Sequence, residues 1–355
     1  MDGLQTESDN SAAAELADIV GLIAAAPKAE LHLHFQGAIR PPTLLALARR
    51  HRIALPAEDA DGLRRWFQFR DFAHFVEVYA TLRACLVEVA DYELVTYELG
   101  AELAAQQVRY AEVTFTPGPE VYSGLGETFF DGLSAGRQRV REDFGIDLRW
   151  IFDIPRRTVT LHPDLPLADF ITRMAIDGRH DGVVALGLAG TERGYPPEPF
   201  EPWFDRARGA GLHSAPHAGE TAGPQSIWGA LRALGAERLG HGVRAIEDPA
   251  LVRYLVEQQI PLEVCPTSNV ALGVYPSLEA HPLPLLLEAG ACVTINTDTP
   301  AIFGTSLVSE ASLLATQFQL APAAIQQILR AAFEASFLAP DERAALLARA
   351  DSPLR

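Results

Sequence analysis

The stretch Pro27-Lys28-Ala29-Glu30-Leu31-His32-Leu33-His34-Phe35-Gln36-Gly37 decides the fold. Its core, Ala29–His34, is a short β-leaning run with two imidazoles at its C-terminal end. A doubly wound nucleotide-binding sheet would place a glycine-rich turn directly after its first strand. Here the strand runs into His34-Phe35-Gln36-Gly37 instead. Similar runs follow at Val108–Phe115, Asp147–Ile154, Val183–Ala189, Leu212–His217, Arg238–Gly242, Pro261–Cys265 and Cys292–Asn296. Helical patterns alternate with them at Thr43–His51, Phe72–Gln106, Thr128–Glu142, Pro166–Ile176, Glu201–Gly209, Pro224–Leu234, Pro249–Gln258 and Leu283–Ala289. Such alternation marks a parallel sheet. Eight units in about 250–300 residues predict an α/β fold, a (β/α)8 TIM barrel with extra N- and C-terminal helices.

Nothing divides the chain. Its 25 prolines and 27 glycines are spread throughout, and no Ser/Gly-rich linker or charge block interrupts it. The expectation is a single domain over residues 1–355, with the barrel near 27–306 and closing helices near 307–350. Leu16–Ala26 is short, contains Asp18 and lacks a basic leader, so it reads as an amphipathic helix rather than a signal peptide. No run approaches the ~20 apolar residues that span a bilayer.

Composition narrows the partners. The formal net charge of −17 repels phosphate backbones and anionic membranes, which leaves a small-molecule substrate and disfavours nucleic acid and membrane. Cys85, Cys265 and Cys292 form no C-x-x-C pair and are odd in number. A disulfide framework is not expected, and a reducing, cytoplasmic location is.

Catalytic groups of such a barrel sit at the C-terminal ends of its strands. Strand one ends in His32-Leu33-His34, whose two imidazoles point to one face because strand side chains alternate. Strand five ends in His217-Ala218-Gly219-Glu220, strand six in Gly240-His241-Gly242, and strand eight in Asn296-Thr297-Asp298. Of ten histidines in the chain, four stand at these ends. Three neutral imidazoles (His32, His34, His217) and the Asp298 carboxylate suit one Zn2+ ion. Zinc lowers the pKa of a bound water from ~15.7 towards ~7, which makes hydroxide available at neutral pH. Glu220, three residues beyond His217, is free to shuttle protons, and His241 to orient the attacking oxygen.

Taken singly, each residue has a plainer reading. H-x-H pairs are common at surfaces, Asp298 before Pro300 could cap a helix, and Glu220 could be a solvated loop charge. His241 is less ordinary, because glycine on both sides suggests close backbone approach. His51, His74, His162, His180, His213 and His281 read as structural or surface residues, and Cys265 as a small packed hydrophobe.

These motifs, with Cys265-Pro266-Thr267-Ser268-Asn269 and Leu188-Ala189-Gly190-Thr191-Glu192, resemble the adenosine deaminase family of the metal-dependent amidohydrolases, in order from about residue 27 to 340. The resemblance implies zinc on His32, His34, His217 and Asp298. It implies protonation of the purine ring nitrogen by Glu220, assistance to the attacking water by His241, and a backbone contact from Gly190. The family alone supplies the purine: a 6-aminopurine nucleoside or close analogue. Two positions depart from its pattern. Gln36 stands where the family has a carboxylate near the sugar end of the substrate. Thr299 stands where it has a second Asp contacting the imidazole side of the purine. Both fall on substrate recognition, so the hydrolytic machinery is expected to be kept while the substrate has shifted. Phe69–Phe75 and Gly242-Val243-Arg244-Ala245 look closer to the bacterial branch that includes aminodeoxyfutalosine deaminases. In that reading Phe69–Phe75 is a lid, and otherwise a helix start. The alternatives are a superfamily hydrolase of another amino-heterocycle and a catalytically silent, metal-stabilised binding protein. Intact Glu220 and His241 speak against the last.

Overall fold

The computed structural model describes residue 14 and residues 16–69, 72–118 and 124–350. Strands β1 (Lys28–His34), β2 (Val108–Phe115), β3 (Asp147–Pro155), β4 (Val183–Ala189) and β5 (His213–Ser214) lie side by side in that order. A second run follows with β6 (His217–Ala218), β7 (Leu239–His241), β8 (Leu262–Val264) and β9 (Val293–Ile295). Every pairing is parallel.

The expected strand Leu212–His217 is therefore two segments, β5 and β6. Pro216 has no N–H to give to a ladder. Backbone bonds still bridge the gap: Ala215 N donates to Leu186 O at 3.1 Å, and Gly240 N donates to Pro216 O at 3.0 Å. The other seam is closed beyond β9. Leu33 bridges in parallel to Asp298. Asp298 N donates to His32 O at 2.9 Å, and His34 N donates to Asp298 O at 2.7 Å. The nine described segments are thus eight strands of a closed TIM barrel, and the last seam runs directly through the His32–His34 and Asp298 motifs.

All seven residues of β1 are buried, as expected for a parallel strand covered on both faces. The covering helices match the periodic segments, with one correction. The expected helix Phe72–Gln106 is two helices, Phe72–Ala84 and Val89–Ala105. No Pro or Gly marks the break. Asp91 makes it, accepting from the backbone N–H groups of Val87 and Glu88 at 2.9 Å each in a capping box with Glu88. Short helices at Pro266–Ala271 and Pro300–Phe303 follow two of the strand-end motifs.

Residues 16–25 are helical, and Lys28 Nζ caps them by donating to Ile23 O at 2.7 Å and Ala24 O at 3.2 Å. The closing helices are Leu307–Thr316, Pro322–Glu334 and Pro340–Ala350. Arg238 ties this end of the chain to the strands. Fully buried, it pairs with Glu112 and Glu263, donates to Ala335 O at 2.8 Å and lies 4.0 Å over the Phe337 ring. Among the described residues no helix is long and apolar enough to cross a membrane.

Candidate active site

The strand ends bring the expected residues together. His32, His34 and Asp298 offer ligand atoms within 4.8 Å of one another, as do His32, His217 and His241, and as do Glu220, His241 and Asp298. His34 Nε2 stands 3.0 Å from His217 Nε2 and 3.6 Å from Asp298 Oδ1. Two of these side chains sit on strained backbone. His241 has φ 61° and Asp298 φ 62°, the left-handed region that side-chain-bearing residues rarely adopt. Such strain persists where the surroundings hold it, and it often marks function. Gly240 admits the rings: a Cβ there would stand 2.9 Å from His32 Cε1 and 3.1 Å from His217 Cα. The glycine beside His241 does serve close approach.

Deeper groups orient these side chains. His32 Nδ1 donates to Glu263 Oε2 at 2.8 Å, and Glu263 is held in turn by Arg238. That bond leaves His32 Nε2 turned to the site, buried and with no hydrogen-bond partner among the described residues. Ser268 Oγ donates to Asp298 Oδ2 at 2.6 Å. His217 Nδ1 faces the buried Asp153 carboxylate at 3.8 Å, and Arg156 donates to the His217 carbonyl.

These residues fit a divalent transition ion. Metal-binding imidazoles must be neutral. Burial, reinforced by the neighbouring rings, holds His32 and His217 well below the ordinary histidine range, and burial with His241 pushes His34 down to about 3. Burial also lifts the Asp298 carboxyl to about 6, against the His241 ring and the Ser268 hydroxyl that favour its charge. An orphaned buried His32 Nε2, two imidazoles at near contact and a carboxylate form a donor set of the zinc kind.

Glu220 lies at the edge of this group, 3.7 Å from His241 Nε2. Burial, with the Glu192 charge, lifts its pKa to about 8 against the opposing Arg156 guanidinium. Glu192 has no assigned role in the sequence reading, yet it builds the loop. Its carboxylate accepts from the backbone N–H groups of Gly219, Glu220 and Thr221 at 2.8 Å each, and from Ser226 Oγ at 2.6 Å. Its signal was position: it lies in the motif that follows Gly190 at the end of β4. Asp153, Arg156, Glu263 and Arg238 escaped because each sits inside an apolar strand or at its edge, where one sequence does not reveal a polar partner.

The three residues assigned to substrate are placed differently. Gly190 is exposed at the end of β4, with φ 89° and no atom within 4 Å of where a Cβ would stand. Thr299 is buried and packs on Gly37, where a Cβ would come within 2.3 Å of Thr299 Cγ2. Its Oγ1 has no hydrogen-bond partner among the described residues. Gln36 is bound at both ends of its amide, donating to Thr116 O at 3.2 Å and accepting from Tyr79 Oη at 3.1 Å. Half-buried Phe69, Phe75 and Phe303 pack together beside Tyr79, with Phe75 and Phe303 stacked at 6.0 Å. Arg70 and Asp71 of the expected lid lie outside the described residues.

The remaining histidines divide. His51 pairs with Asp91 at 2.7 Å, His74 packs on Trp66, and His213 stacks on Phe337. His281 is not merely structural in position, since Asn269 links it to His241.

Comparison with known proteins agrees with this geometry. The chain is 42% identical over 338 residues to the aminodeoxyfutalosine deaminase of Streptomyces avermitilis, covering 94% of this chain and 93% of that one. The crystal structure of the adenine deaminase of Arthrobacter aurescens superposes with a TM-score of 0.81 at 33% identity, covering 92% of this chain and 98% of that one. A Zn-bound amidohydrolase from Burkholderia ambifaria superposes with a TM-score of 0.84 at 27% identity, covering 93% and 91%. The family model described as adenosine deaminase matches residues 27–353, so the chain belongs to the adenosine deaminase family and is an aminohydrolase.

Proposed function

We propose that the protein is a zinc-dependent deaminase of a 6-aminopurine nucleoside or close analogue, with His32, His34, His217 and Asp298 holding one ion. The observation that carries this reading is a set of three neutral imidazoles and a carboxylate beside a protonatable Glu220. When bound, the ion would supply Lewis acidity that makes a water nucleophilic near neutral pH.

The rest falls to the chain's own residues. The water oxygen adds to the ring carbon that bears the amine, and the C–N bond to that amine breaks. Glu220, neutral at pH 7 by burial, gives its proton to the adjacent ring nitrogen. It then takes both protons of the attacking oxygen in turn, passing one to the departing amine and keeping the other in place of the one it gave. In net terms the two water protons go to the ring nitrogen and to ammonia, and Glu220 ends as it began. His241 holds the attacking oxygen. The exposed backbone at Gly190 and Thr299 Oγ1, which has no hydrogen-bond partner among the described residues, are the groups through which the base would be held.

Among such substrates, aminodeoxyfutalosine is the one to test first. The relative named for it is 42% identical across nearly the whole chain. The half-buried rings of Phe69, Phe75 and Phe303 beside Gln36-bound Tyr79 support a substrate that extends beyond the base. An ammonia-release assay of zinc-loaded enzyme over aminodeoxyfutalosine, adenosine, adenine and pterins decides it. Turnover of a purine nucleoside at the highest kcat/KM is expected. Preference for a non-purine amine would replace this reading with the other amino-heterocycle one, and no turnover at full zinc occupancy would end both.

A further inference from the structure

We propose that Asn269 and His281 are positioning residues that lock His241 in its Nε2–H tautomer, so that it meets the reacting oxygen as a hydrogen-bond donor and never as the base. This rests on the deaminase reading only for its consequence in catalysis; the lock itself is a matter of the resting protein.

The relay begins at a group that cannot change its role. Leu283 N, a backbone N–H, donates to His281 Nδ1 at 3.2 Å. A ring nitrogen that accepts carries no proton, so neutral His281 bears its hydrogen on Nε2. The ring is buried, packed edge-on against Tyr275 at 5.2 Å and tilted against Phe318 at 5.9 Å, so its orientation is held from both sides. His281 Nε2–H then donates to Asn269 Oδ1 at 3.0 Å. This contact decides which end of the amide is oxygen, a choice that shape alone leaves open. The other end follows: Asn269 Nδ2 donates to His241 Nδ1 at 3.2 Å. His241 Nδ1 is thereby an acceptor, and the proton of the neutral ring lies on Nε2.

The opposite arrangement has no stable form. A proton on His241 Nδ1 would face the Asn269 amide protons. Turning the amide would set those protons against His281 Nε2–H. Shifting the His281 proton would bring it against Leu283 N–H, which has no acceptor form. Asn269 is fully buried and His281 is 3% exposed, so no solvent relieves a donor–donor contact. In such surroundings an unmatched polar pair is costly and a fully matched chain is strong. The asparagine is itself fixed by its backbone. Its N–H bonds to Cys265 O at 3.0 Å, and its carbonyl accepts from Val274 N at 2.8 Å.

The locked N–H points where the chemistry is expected. His241 Nε2 lies 3.7 Å from Glu220 Oε1 and 3.9 Å from Asp298 Oδ2, both beyond direct hydrogen-bond distance. An oxygen seated among the three would accept from His241. With Nδ1 occupied and Nε2 protonated, neutral His241 has no lone pair to take a proton, and proton carriage falls to Glu220 alone.

The test reads the tautomer directly. Zinc-loaded enzyme carrying 15N-histidine is examined by long-range 1H–15N correlation, with the His241 signals assigned by their loss in His241→Gln. The wild type should show a protonated Nε2 and a bare Nδ1. Asn269→Asp keeps the shape but offers His241 Nδ1 an acceptor, so a proton should appear on Nδ1. kcat should fall about 100-fold or more, with KM within a few-fold and zinc content unchanged. His281→Gln, whose amide can still donate to Asn269 Oδ1, should retain the Nε2–H pattern and most of kcat, whereas His281→Leu should not. A bare Nε2 in the wild type would overturn the proposal, as would an unchanged His241 pattern in soluble, zinc-replete Asn269→Asp. Should Asn269→Asp not fold, the wild-type spectrum and the two His281 variants still decide. Wild-type enzyme with the Nε2–H pattern but no activity on any aminopurine would sink the deaminase reading and leave the lock standing.

Discussion

His34 Nε2 and His217 Nε2 stand 3.0 Å apart at the ends of strands one and five, each on a ring kept neutral by burial. At most one of the two nitrogens can donate to the other, and neither reaches water freely. A cation accepting both lone pairs suits the arrangement better. Removing zinc with a chelator should therefore abolish activity and lower Tm, and adding zinc should restore both. At about 1,000-fold excess over Kd the ion would add ~4 kcal/mol, or roughly 5 °C in Tm for a chain of this length. Calorimetry with and without chelator checks this. A Tm unmoved by zinc, with activity intact, would remove the metal from the account.

Glu263 meets the proposed zinc site through His32, whose Nδ1–H it accepts at 2.8 Å. Such a carboxylate raises the basicity of the imidazole and fixes which ring nitrogen is free. Glu263→Gln should weaken zinc binding by ~10–100-fold, measured by competition with a chromophoric chelator. Activity at saturating zinc should suffer less than affinity does. An unchanged affinity would mean that strand geometry alone orients His32.

Much of this was legible in the sequence. The eight runs, the residues ending them and the convergence of His32, His34, His217, His241, Glu220 and Asp298 follow from periodicity and the rule that barrels catalyse at strand C-termini. Physical causes account for the rest. Pro216 interrupts strand five because it lacks an N–H, and the sequence displays that proline within the run. The break before Val89 is made by a side-chain cap, not by a helix breaker. Glu192, Glu263, Asn269 and His281 act on their neighbours across 12 to 231 residues of chain, and only folding pairs them. Gln36 shows the converse. Its place in the family resemblance suggests a substrate contact; its amide is bound to Tyr79 and Thr116 and keeps one further donor and one further acceptor position.

Glu220 couples pH to both stability and rate. Its folded pKa of about 8 lies above its ordinary 4.5. The folded state therefore binds this proton more tightly than the unfolded state does. Its contribution to stability is full below pH 4.5 and is lost as pH rises through 8. At pH 7 the loss is roughly 3 kcal/mol. Metal-free Glu220→Gln should thus gain several degrees in Tm over wild type at pH 8 and little at pH 4.5. The same change should cost ~10²–10⁴ in kcat while zinc stays bound. Equal Tm values across that range would show that Glu220 titrates normally, and kcat within tenfold of wild type would deny it the proton-carrying role.

On the proposed reading, Thr299 stands where the resembled family carries a second charged side chain against the purine. It is buried against Gly37, and its Oγ1 is unpaired among the described residues. A hydroxyl there can donate to or accept from a ring nitrogen, but it carries no charge. Replacing a charged hydrogen bond by a neutral one costs about 1–1.5 kcal/mol, or ~5–13-fold in binding. Thr299→Asp should then raise kcat/KM for adenosine if this contact is what limits it, with the gain appearing mainly in KM. The carboxylate would stand beside Asp298, whose own pKa is already lifted to about 6, so part of the gain should fade at low pH as the new acid protonates. Steady-state kinetics on adenosine and aminodeoxyfutalosine, for both proteins across pH, separate the cases. Improvement on adenosine alone would locate specificity at this residue. Unchanged or poorer kcat/KM on adenosine would move it to the aromatic rim around Phe69, Phe75 and Phe303.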